Sequence, residues 1–210
     1  MMQILIVDDH EVMRHGLRDI LQRRLSPVAV TEAKDSREAV ARLAEKAWDL
    51  VLLDINLPGR SGLDVLAEVR LTSPKTPVLM LTAYPEEQFA VRAFRMGAAG
   101  YLNKQSASDE LLVAVKRILG GGKYVTASLA ERLADSLGDD ATQARHECLS
   151  NRELQVLRLV AAGKTIKEIA SELSLSEKTV ATYRTRIGEK MHLASNVDIT
   201  RYAVQNGLVE

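Results

Sequence analysis

The sequence has few of the features that mark secreted, membrane or highly charged proteins. It contains one cysteine, Cys148, in 210 residues, so the chain forms no internal disulfide and fits a reducing compartment. No apolar run approaches the roughly 20 residues of a membrane span, and the first residues lack a secretory signal pattern. Basic and acidic residues number 28 each, so overall charge says nothing about nucleic-acid partners. These absences predict an ordinary cytoplasmic globular protein without a membrane partner.

Residues 1–122 alternate between short apolar runs and amphipathic helical patterns. The apolar runs have strand length and fall at residues 3–7, 28–30, 50–53, 77–81 and 100–102. Helical spacing follows each run, at residues 12–21, 36–48, 62–69, 85–97 and 111–119. Apolar runs without polar alternation are typical of parallel strands covered on both faces. Five strand–helix repeats predict a doubly wound (βα)5 α/β domain.

The rest of the chain is predicted to be helical. Residues 123–147 form a helical extension and linker, in which a pattern at 128–137 precedes an aperiodic stretch at 138–144. Residues 148–210 predict a small all-α domain of four helices. Three of these begin with capping boxes, Ser150 with Glu153, Thr165 with Glu168, and Ser195 with Asp198. The fourth begins at Ser176, and Gly163 and Gly207 are expected to end helices.

Chemically useful side chains stand at the carboxyl ends of four predicted strands, where ligands of such sheets bind. They are Asp8 and Asp9, Asp54, Thr82, and Lys104. Carboxylates crowded in one crevice repel each other unless a hard cation such as Mg²⁺ lies between them, and Asn56 could add its backbone carbonyl. Lys104 and Thr82 would complete a cradle for a phosphoryl group, with Asp54 as nucleophile.

Taken singly, each of these residues has a structural alternative. The acidic pair could cap the first helix, and Asp54 could cap a loop. Thr82 could be an ordinary strand residue and Lys104 a solvated lysine. Their coincidence at matched strand ends favours a common site.

Four motifs resemble the receiver domain of two-component response regulators over about residues 3–120. They are Ile6-Val7-Asp8-Asp9-His10, the stretch 53–59 around Asp54, Leu81-Thr82-Ala83, and the stretch 100–104 ending in Lys104. The resemblance implies a flavodoxin-like fold and a phosphate accepted on Asp54 from a sensor histidine kinase. It also implies that Asp9 ligates Mg²⁺ directly, whereas Asp8 acts mostly through water.

The same resemblance implies a switch. Thr82 and Lys104 would take the phosphoryl oxygens, and Tyr101 would turn inward when Thr82 moves. Such a chain phosphorylates and dephosphorylates only itself and is not an enzyme for external substrates. Many receivers place proline after the lysine, in a cis peptide, whereas this sequence has Gln105.

Haloacid-dehalogenase-like phosphatases are an alternative, because they also combine a strand-end aspartate with threonine, lysine and Mg²⁺. Their residue two positions after the aspartate is normally a second aspartate that acts as acid and base. Asn56 cannot transfer a proton, and the acidic pair lies on the first strand instead of late in the chain. Turnover of a phosphomonoester would distinguish this alternative.

Residues 165–191 have the pattern of a helix-turn-helix, a short capped helix joined through Ser174-Leu175 to a longer amphipathic one. The apolar face of the second helix carries Val180, Tyr183, Ile187 and Met191. Residues 178–190 include four basic residues and one acidic residue. A solvated helix face is the structural alternative, whereas in a helix-turn-helix this helix enters the major groove of DNA.

The stretches 149–157, 163–170 and 175–180 are similar to the LuxR-type DNA-binding domain. A receiver followed by this domain is the arrangement of the NarL/FixJ branch of response regulators. Ala181 and Tyr183 depart from residues that are common in relatives, lysine and histidine respectively. Base contacts are therefore assigned to Thr182, Thr185 and Arg186. Phosphate contacts are assigned to Lys164, Lys167, Lys178 and Lys190, with Thr179 beside them.

The expected function is transcription control through double-stranded promoter DNA. One helix-turn-helix reads only a few base pairs, so the active form is expected to be a two-fold homodimer. Val197, Ile199 and Tyr202 of the last helix are the expected contacts, unless they only pack the small helical core. A further alternative is a constitutive DNA-binding protein whose receiver only dimerises, which acetyl phosphate labelling would separate.

Overall fold

The structure, a computed structural model, describes residues 1–138 and 145–209, and the chain divides into two compact units, 1–133 and 134–210. The strands of the first unit are β1 Met2–Val7, β2 Val28–Ala33, β3 Leu50–Leu53, β4 Val78–Thr82 and β5 Gly100–Asn103. Its helices are α1 Glu11–Arg24, α2 Ser36–Glu45, α3 Gly62–Thr72, α4 Glu86–Arg95 and α5 Ala107–Leu119. Helix α6, Ala127–Gly138, follows. None of the helices in the described part of the chain combines the length and the apolar character that a membrane span requires.

The five strands form one parallel sheet in the order β2-β1-β3-β4-β5, which confirms the doubly wound domain. Every residue of β3 and β4 is buried, as their unbroken apolar runs indicated. In register, Val7 lies beside Leu53, and Leu53 lies beside Met80. The strand order reverses between β1 and β3, so their carboxyl ends open into the crevice where such sheets bind ligands.

One face of the sheet packs against α1 and α5. Alternate strand residues such as Ile4, Ile6, Leu50 and Leu52 point to this face, because side chains in a strand alternate between its two sides. Leu17 and Leu21 of α1, and Leu111, Ala114, Val115 and Ile118 of α5, complete this apolar cluster. The core therefore fixes the strand ends rigidly on one side of the crevice.

Element boundaries differ from the sequence expectation where polar residues interrupt the apolar pattern. Strand β2 continues to Ala33 because it is an edge strand and tolerates the half-buried Thr31 and Glu32. Strand β4 begins one residue after Pro77, which has no N–H for the ladder but accepts a hydrogen bond from Val51 at 3.0 Å. Helix α5 begins at Ala107, before its apolar periodicity starts.

Residues 123–133, expected in the connecting segment, belong to the first unit. The Tyr124 N–H donates to the Ala99 carbonyl at 2.9 Å, and Tyr124 forms a parallel bridge with Gly100. Its hydroxyl donates to Glu110 at 2.5 Å, and Thr126 Oγ1 donates to Glu86 at 2.6 Å. The start of the extension is thus attached to the sheet edge. Most of the expected linker, residues 139–144, lies outside the described residues.

The second unit contains a short 3₁₀ helix, Arg145–Cys148, that the sequence did not indicate. The helices α7 Asn151–Ala161, α8 Ile166–Glu172, α9 Glu177–Met191 and α10 Asn196–Gln205 follow. All three expected capping boxes are present, and the Ser176 side chain accepts from the Thr179 N–H. Gly163 and Gly207 have φ of +82° and +62°, in the left-handed region that favours glycine after a helix.

Candidate functional site

The ammonium group of Lys104 bridges two carboxylates in the crevice at the carboxyl ends of β1 and β3. Lys104 Nζ lies 2.6 Å from Asp54 Oδ2 and 2.7 Å from Asp8 Oδ2. Both carboxylates are only 2% exposed. Their position follows from the sheet, because the Asp54 N–H donates to the Val7 carbonyl at 2.9 Å and extends the β1–β3 ladder into the loops. The predicted strand-end residues Asp8, Asp54 and Lys104 therefore meet.

Burial sets the protonation behaviour of this trio. Desolvation raises the pKa of Asp54 to about 6; the charge of Lys104 opposes the rise and that of Asp8 adds to it. Desolvation alone would lower the pKa of Lys104, but Asp54 and Asp8 outweigh it, so the pKa of Lys104 is raised. Lys104 thus stays charged at neutral pH, where Asp54 is also ionised.

The acidic cluster fits a hard divalent cation. Potential ligand atoms of Asp8, Asp9, His10 and Asp54 all lie within 4.8 Å of one another. Asp9 Oδ1 is buried and accepts no hydrogen bond within the described part of the chain, although His10 Nδ1 lies 2.7 Å away. Carboxylate oxygens are the ligands that Mg²⁺ prefers. The donor set and the unsatisfied Asp9 oxygen therefore suit such an ion.

The loop after β3 is shaped around Asp54. The backbone N–H of Asn56 donates to Asp54 Oδ1 at 3.2 Å, and the Ser61 hydroxyl donates to the Ile55 carbonyl at 3.4 Å. A Cβ on Gly62 would lie 1.8 Å from the Asp54 carbonyl oxygen, so only glycine lets α3 begin here. This requirement is not visible in the sequence, because it depends on how closely α3 approaches the strand end.

Thr82 is the last residue of β4 and Tyr101 lies on the neighbouring strand β5, and both are fully buried. Thr82 Oγ1 accepts from the Tyr84 N–H at 3.4 Å, and the Tyr101 hydroxyl donates to the Tyr84 carbonyl at 2.9 Å. The Tyr101 ring therefore takes the inward orientation in this structure. Among the described residues only Ser26–Pro27 is a cis peptide, so the bond between Lys104 and Gln105 is trans.

The outer face of α9 is exposed at Lys178, Thr182, Thr185 and Arg186, and Thr179 is half-buried. The hydroxyls of Thr182 and Thr185 donate to backbone carbonyls one turn earlier, at 2.9 and 3.1 Å, which leaves each oxygen as an acceptor. On the inner face Val180, Ile187 and Met191 are buried, whereas Tyr183 is only half-buried. The sequence thus identified the two faces of this helix.

Two of the four lysines assigned to DNA phosphates have partners within the second unit. Lys164 pairs with Glu172, and Lys190 Nζ lies 2.7 Å from Glu153 Oε2, whose side chain is 3% exposed. Burial would raise the pKa of Glu153, but hydrogen bonds from Lys190 and Ser150 outweigh it and lower the pKa. Lys167 and Lys178 are exposed and form no ion pair among the described residues. Lys190 therefore connects α9 to the first turn of α7.

The expected dimer contacts on α10 separate into different environments. Val197 is 72% exposed, but Ile199 is 1% exposed and packs inside its own unit, so it is not available to a partner as expected. The Tyr202 hydroxyl accepts from the His146 N–H at 3.2 Å and lies 3.1 Å from His146 Nδ1. This contact explains the half-buried position of Tyr202 and attaches the 3₁₀ helix to α10. Only Val197 of the three is well exposed.

The first unit is a doubly wound domain with an acidic crevice and a bridging lysine, and a helix-turn-helix unit follows it. This combination defines a DNA-binding signalling protein of the receiver class. Residues 4–116 match the family model of the response regulator receiver domain. Residues 147–203 match the model of bacterial regulatory proteins of the luxR family. The chain therefore belongs to the two-component response regulators with a luxR-type DNA-binding domain, the arrangement of the NarL/FixJ branch.

Individual relatives are similar to this chain over nearly its whole length. Response regulator UvrY of Escherichia coli strain K12 is 34% identical over 209 residues, covering 99% of this chain and 96% of its own length. Response regulator GacA of Pseudomonas protegens is 31% identical over 210 residues, covering 100% and 99%. RcsB from Salmonella enterica serovar Typhimurium, solved bound to promoter P1flhDC with phosphomimetic BeF3⁻, is 25% identical with a TM-score of 0.60, covering 96% of this chain and 97% of RcsB.

Proposed function

We propose that phosphorylation of Asp54 by a sensor histidine kinase switches the binding of this response regulator to promoter DNA. We assign the receiver to residues 1–122 and the DNA-binding domain to residues 148–210, with a connecting segment at residues 123–147 of which residues 123–133 pack with the receiver. The observation that carries the proposal is the buried Asp54 carboxylate held by Lys104 beside Asp8. Because promoter DNA and the kinase's phosphate donor meet in the cytoplasm, the protein acts there.

The geometry suits phosphoryl transfer. An Asp54 carboxylate oxygen attacks the phosphorus of the kinase phosphohistidine, forming a P–O bond as the P–N bond breaks. Asp9, Asp54 and the Asn56 carbonyl would hold Mg²⁺, and Asp8 would act through water; a bound ion would neutralise the developing charge. Lys104 exchanges its Asp54 contact for a phosphoryl oxygen, and the Thr82 hydroxyl donates to another. Water later releases the phosphate, so the chain turns over only its own phosphoryl group.

Thr82 and Tyr101 connect this chemistry to the surface. When Thr82 donates to the phosphoryl group, its contact with the Tyr84 N–H changes, and the Tyr84 carbonyl is also the acceptor of the Tyr101 hydroxyl. The inward Tyr101 is therefore stabilised by the same backbone segment that Thr82 orders. A ligand that favours one arrangement of this segment shifts the population between two receiver states.

An apolar groove beside Lys104 suits the kinase. The groove has a volume of about 500 Å³ and is lined by His10, Val12, Met13, Leu17, Ile20 and Lys104, among others. Val12 is 87% exposed at its edge. An amphipathic helix of the kinase can bury its apolar face here while presenting a phosphohistidine to Asp54.

DNA selection with the full-length protein, with and without beryllofluoride, tests the proposal. We expect enrichment of a double-stranded site with two half-sites about one helical turn apart, and tighter binding with beryllofluoride. RcsB was solved on promoter DNA with this phosphoryl mimic, which supports the choice of ligand. Equal binding in both conditions would instead favour constitutive DNA binding, and hydrolysis of a phosphomonoester would favour the phosphatase alternative.

We further propose that the active form is a two-fold homodimer with Val197 at its contact and Tyr202 at the edge. Val197 and Val204 are both exposed and lie two helical turns apart on α10, so they share one face. Val197→Asp should leave the beryllofluoride-bound protein monomeric on DNA, whereas Gln205→Asp, which adds the same charge at an exposed position outside that face of α10, should not. Sedimentation of both variants with DNA makes the comparison, and a dimeric Val197→Asp variant would remove this contact from the proposal.

A further inference from the structure

Arg14, to which no sequence motif points, contacts the acidic loop. Its guanidinium Nη1 donates to the backbone carbonyl of Asp8 at 2.7 Å. Arg14 lies near the start of α1 and is 12% exposed, so its side chain folds back over the loop that joins β1 to the helix. The carbonyl it holds belongs to the peptide bond between Asp8 and Asp9.

The other side of the guanidinium is fixed by β2. Arg14 Nε donates to Glu32 Oε2 at 3.1 Å, and Arg18 Nη1 donates to Glu32 Oε1 at 2.8 Å. Glu32 in turn lies beside Ile6 in the β1–β2 register. Arg14 therefore joins a helix, an edge strand and the acidic loop through one planar group, which a lysine cannot reproduce.

The contact orients Asp9. A peptide unit is planar, so fixing the Asp8 carbonyl fixes the plane from which the next residue leaves the chain. The carboxylate of that residue contains Oδ1, the buried oxygen without a hydrogen bond among the described residues. Because Arg14 contacts a carbonyl and its charge is partly balanced by Glu32, its effect on the loop is geometric more than electrostatic.

We propose that Arg14 is a positioning residue for the divalent cation site, holding the Asp8–Asp9 peptide so that the Asp9 carboxylate faces the ion. The inference rests on the proposed function, since it concerns the cation that would assist phosphorylation of Asp54. Residues that orient metal ligands from outside the coordination shell commonly change metal affinity when they are replaced. Arg14 does not touch the reacting atoms.

The test is the Mg²⁺ affinity of the full-length protein, measured by calorimetry well below the unfolding temperature. We expect Arg14→Ala to weaken Mg²⁺ binding about tenfold, the lower end of the range for such residues. Arg18→Ala is the matched control, because it removes the same kind of ion pair to Glu32 without touching Asp8. Arg18→Ala should lower thermal stability about as much as Arg14→Ala does, but leave Mg²⁺ affinity unchanged.

Arg14→Lys keeps the charge and the helix, and should bind Mg²⁺ more weakly than Arg18→Ala does. It decides the matter by the same comparison if Arg14→Ala does not fold. The positioning role would be overturned if the Arg14 variants bound Mg²⁺ as tightly as the wild type, or if Arg18→Ala weakened binding equally. In either case Mg²⁺ binding by the wild-type protein would leave the proposed function intact. A wild-type protein that binds no Mg²⁺ would overturn both.

Discussion

In the crevice of the first unit, Lys104 lies within 2.7 Å of two buried carboxylates, whereas on α9 of the second unit Lys178 and Arg186 are exposed and have no ion pair among the described residues. The crevice thus satisfies its charges internally and shifts the pKa of Asp54. Lys178 and Arg186 are hydrated instead, whereas Lys190 of the same helix is paired with Glu153. Buried charge prepared in advance suits group transfer, while unpaired surface charge suits an external polyanion.

The largest effect is expected when the phosphoryl acceptor of the crevice, Asp54, is replaced. Asp54→Asn should abolish Mg²⁺-dependent labelling by acetyl phosphate, because the amide keeps the shape but is not a nucleophile. Asp49→Asn is the matched control, since Asp49 precedes the same strand at its opposite end. Mass spectrometry of the intact protein measures the label, and labelling of Asp54→Asn at the wild-type rate would show that another residue accepts the phosphate.

Removing the bridging cation tests how far the crevice depends on its internal pairing. Lys104→Ala should slow labelling on the order of 100-fold, the effect typical of losing one preorganised group that stabilises transition-state charge. Lys116→Ala, an exposed lysine of α5, should label normally. Time courses of labelling at saturating Mg²⁺ compare the variants, and a normal rate for Lys104→Ala would place the catalytic cation elsewhere.

The raised pKa of Asp54 predicts a pH-dependent change in stability without metal. Burial raises the pKa of Asp54 from its ordinary value of 3.8 to about 6 in the folded protein, so the stability it contributes is present below pH 3.8 and lost as pH rises through about 6. In EDTA at pH 8, the free energy of unfolding of Asp54→Asn should therefore be higher than that of the wild type by on the order of 1–3 kcal/mol. Urea unfolding measures the difference, which should disappear near pH 4; a less stable variant at pH 8 would contradict the assigned burial effect.

On the exposed helix, single changes should affect binding and leave the fold intact. Arg186→Ala should cost about 1–3 kcal/mol of affinity and relax specificity at one base pair, the range for a lost base contact. Lys178→Ala should weaken binding to all sequences and reduce the salt slope by about one. Salt titrations on the selected site and on scrambled DNA separate the two effects. Unchanged curves for both variants would mean that another face of α9 meets the groove.

Replacing Lys190 should have the smallest effect. It sharpens the comparison between paired and unpaired charges, because Lys190 lies on α9 but is already paired with Glu153. Lys190→Ala should lower the free energy of unfolding by about 0.5–1 kcal/mol, since its side chain is partly exposed and its pairing with Glu153 is screened. It should change the salt slope of DNA binding less than Lys178→Ala does. A slope reduced by one, with unchanged stability, would return Lys190 to the phosphate contacts.

The strand ends and helix starts were predictable because local sequence encodes them. Unbroken apolar runs located Asp54 and Lys104 at the end of parallel strands, and hydroxyl and acidic residues three apart located the capping boxes such as Ser150 with Glu153. The same periodicity separated the two faces of α9. These features depend on residues within one or two turns of each other.

Packing between distant elements decided the remainder. Arg14 reaches the Asp8 carbonyl and Glu32 only because α1 folds onto β1 and β2, and Gly62 is required only because α3 begins against Asp54. Likewise, Lys190 is paired with Glu153 because α9 packs on α7, and Ile199 is buried because α10 also packs on α7. Periodicity indicates which face of an element turns inward, but which side chains meet there depends on tertiary distances that no local pattern contains.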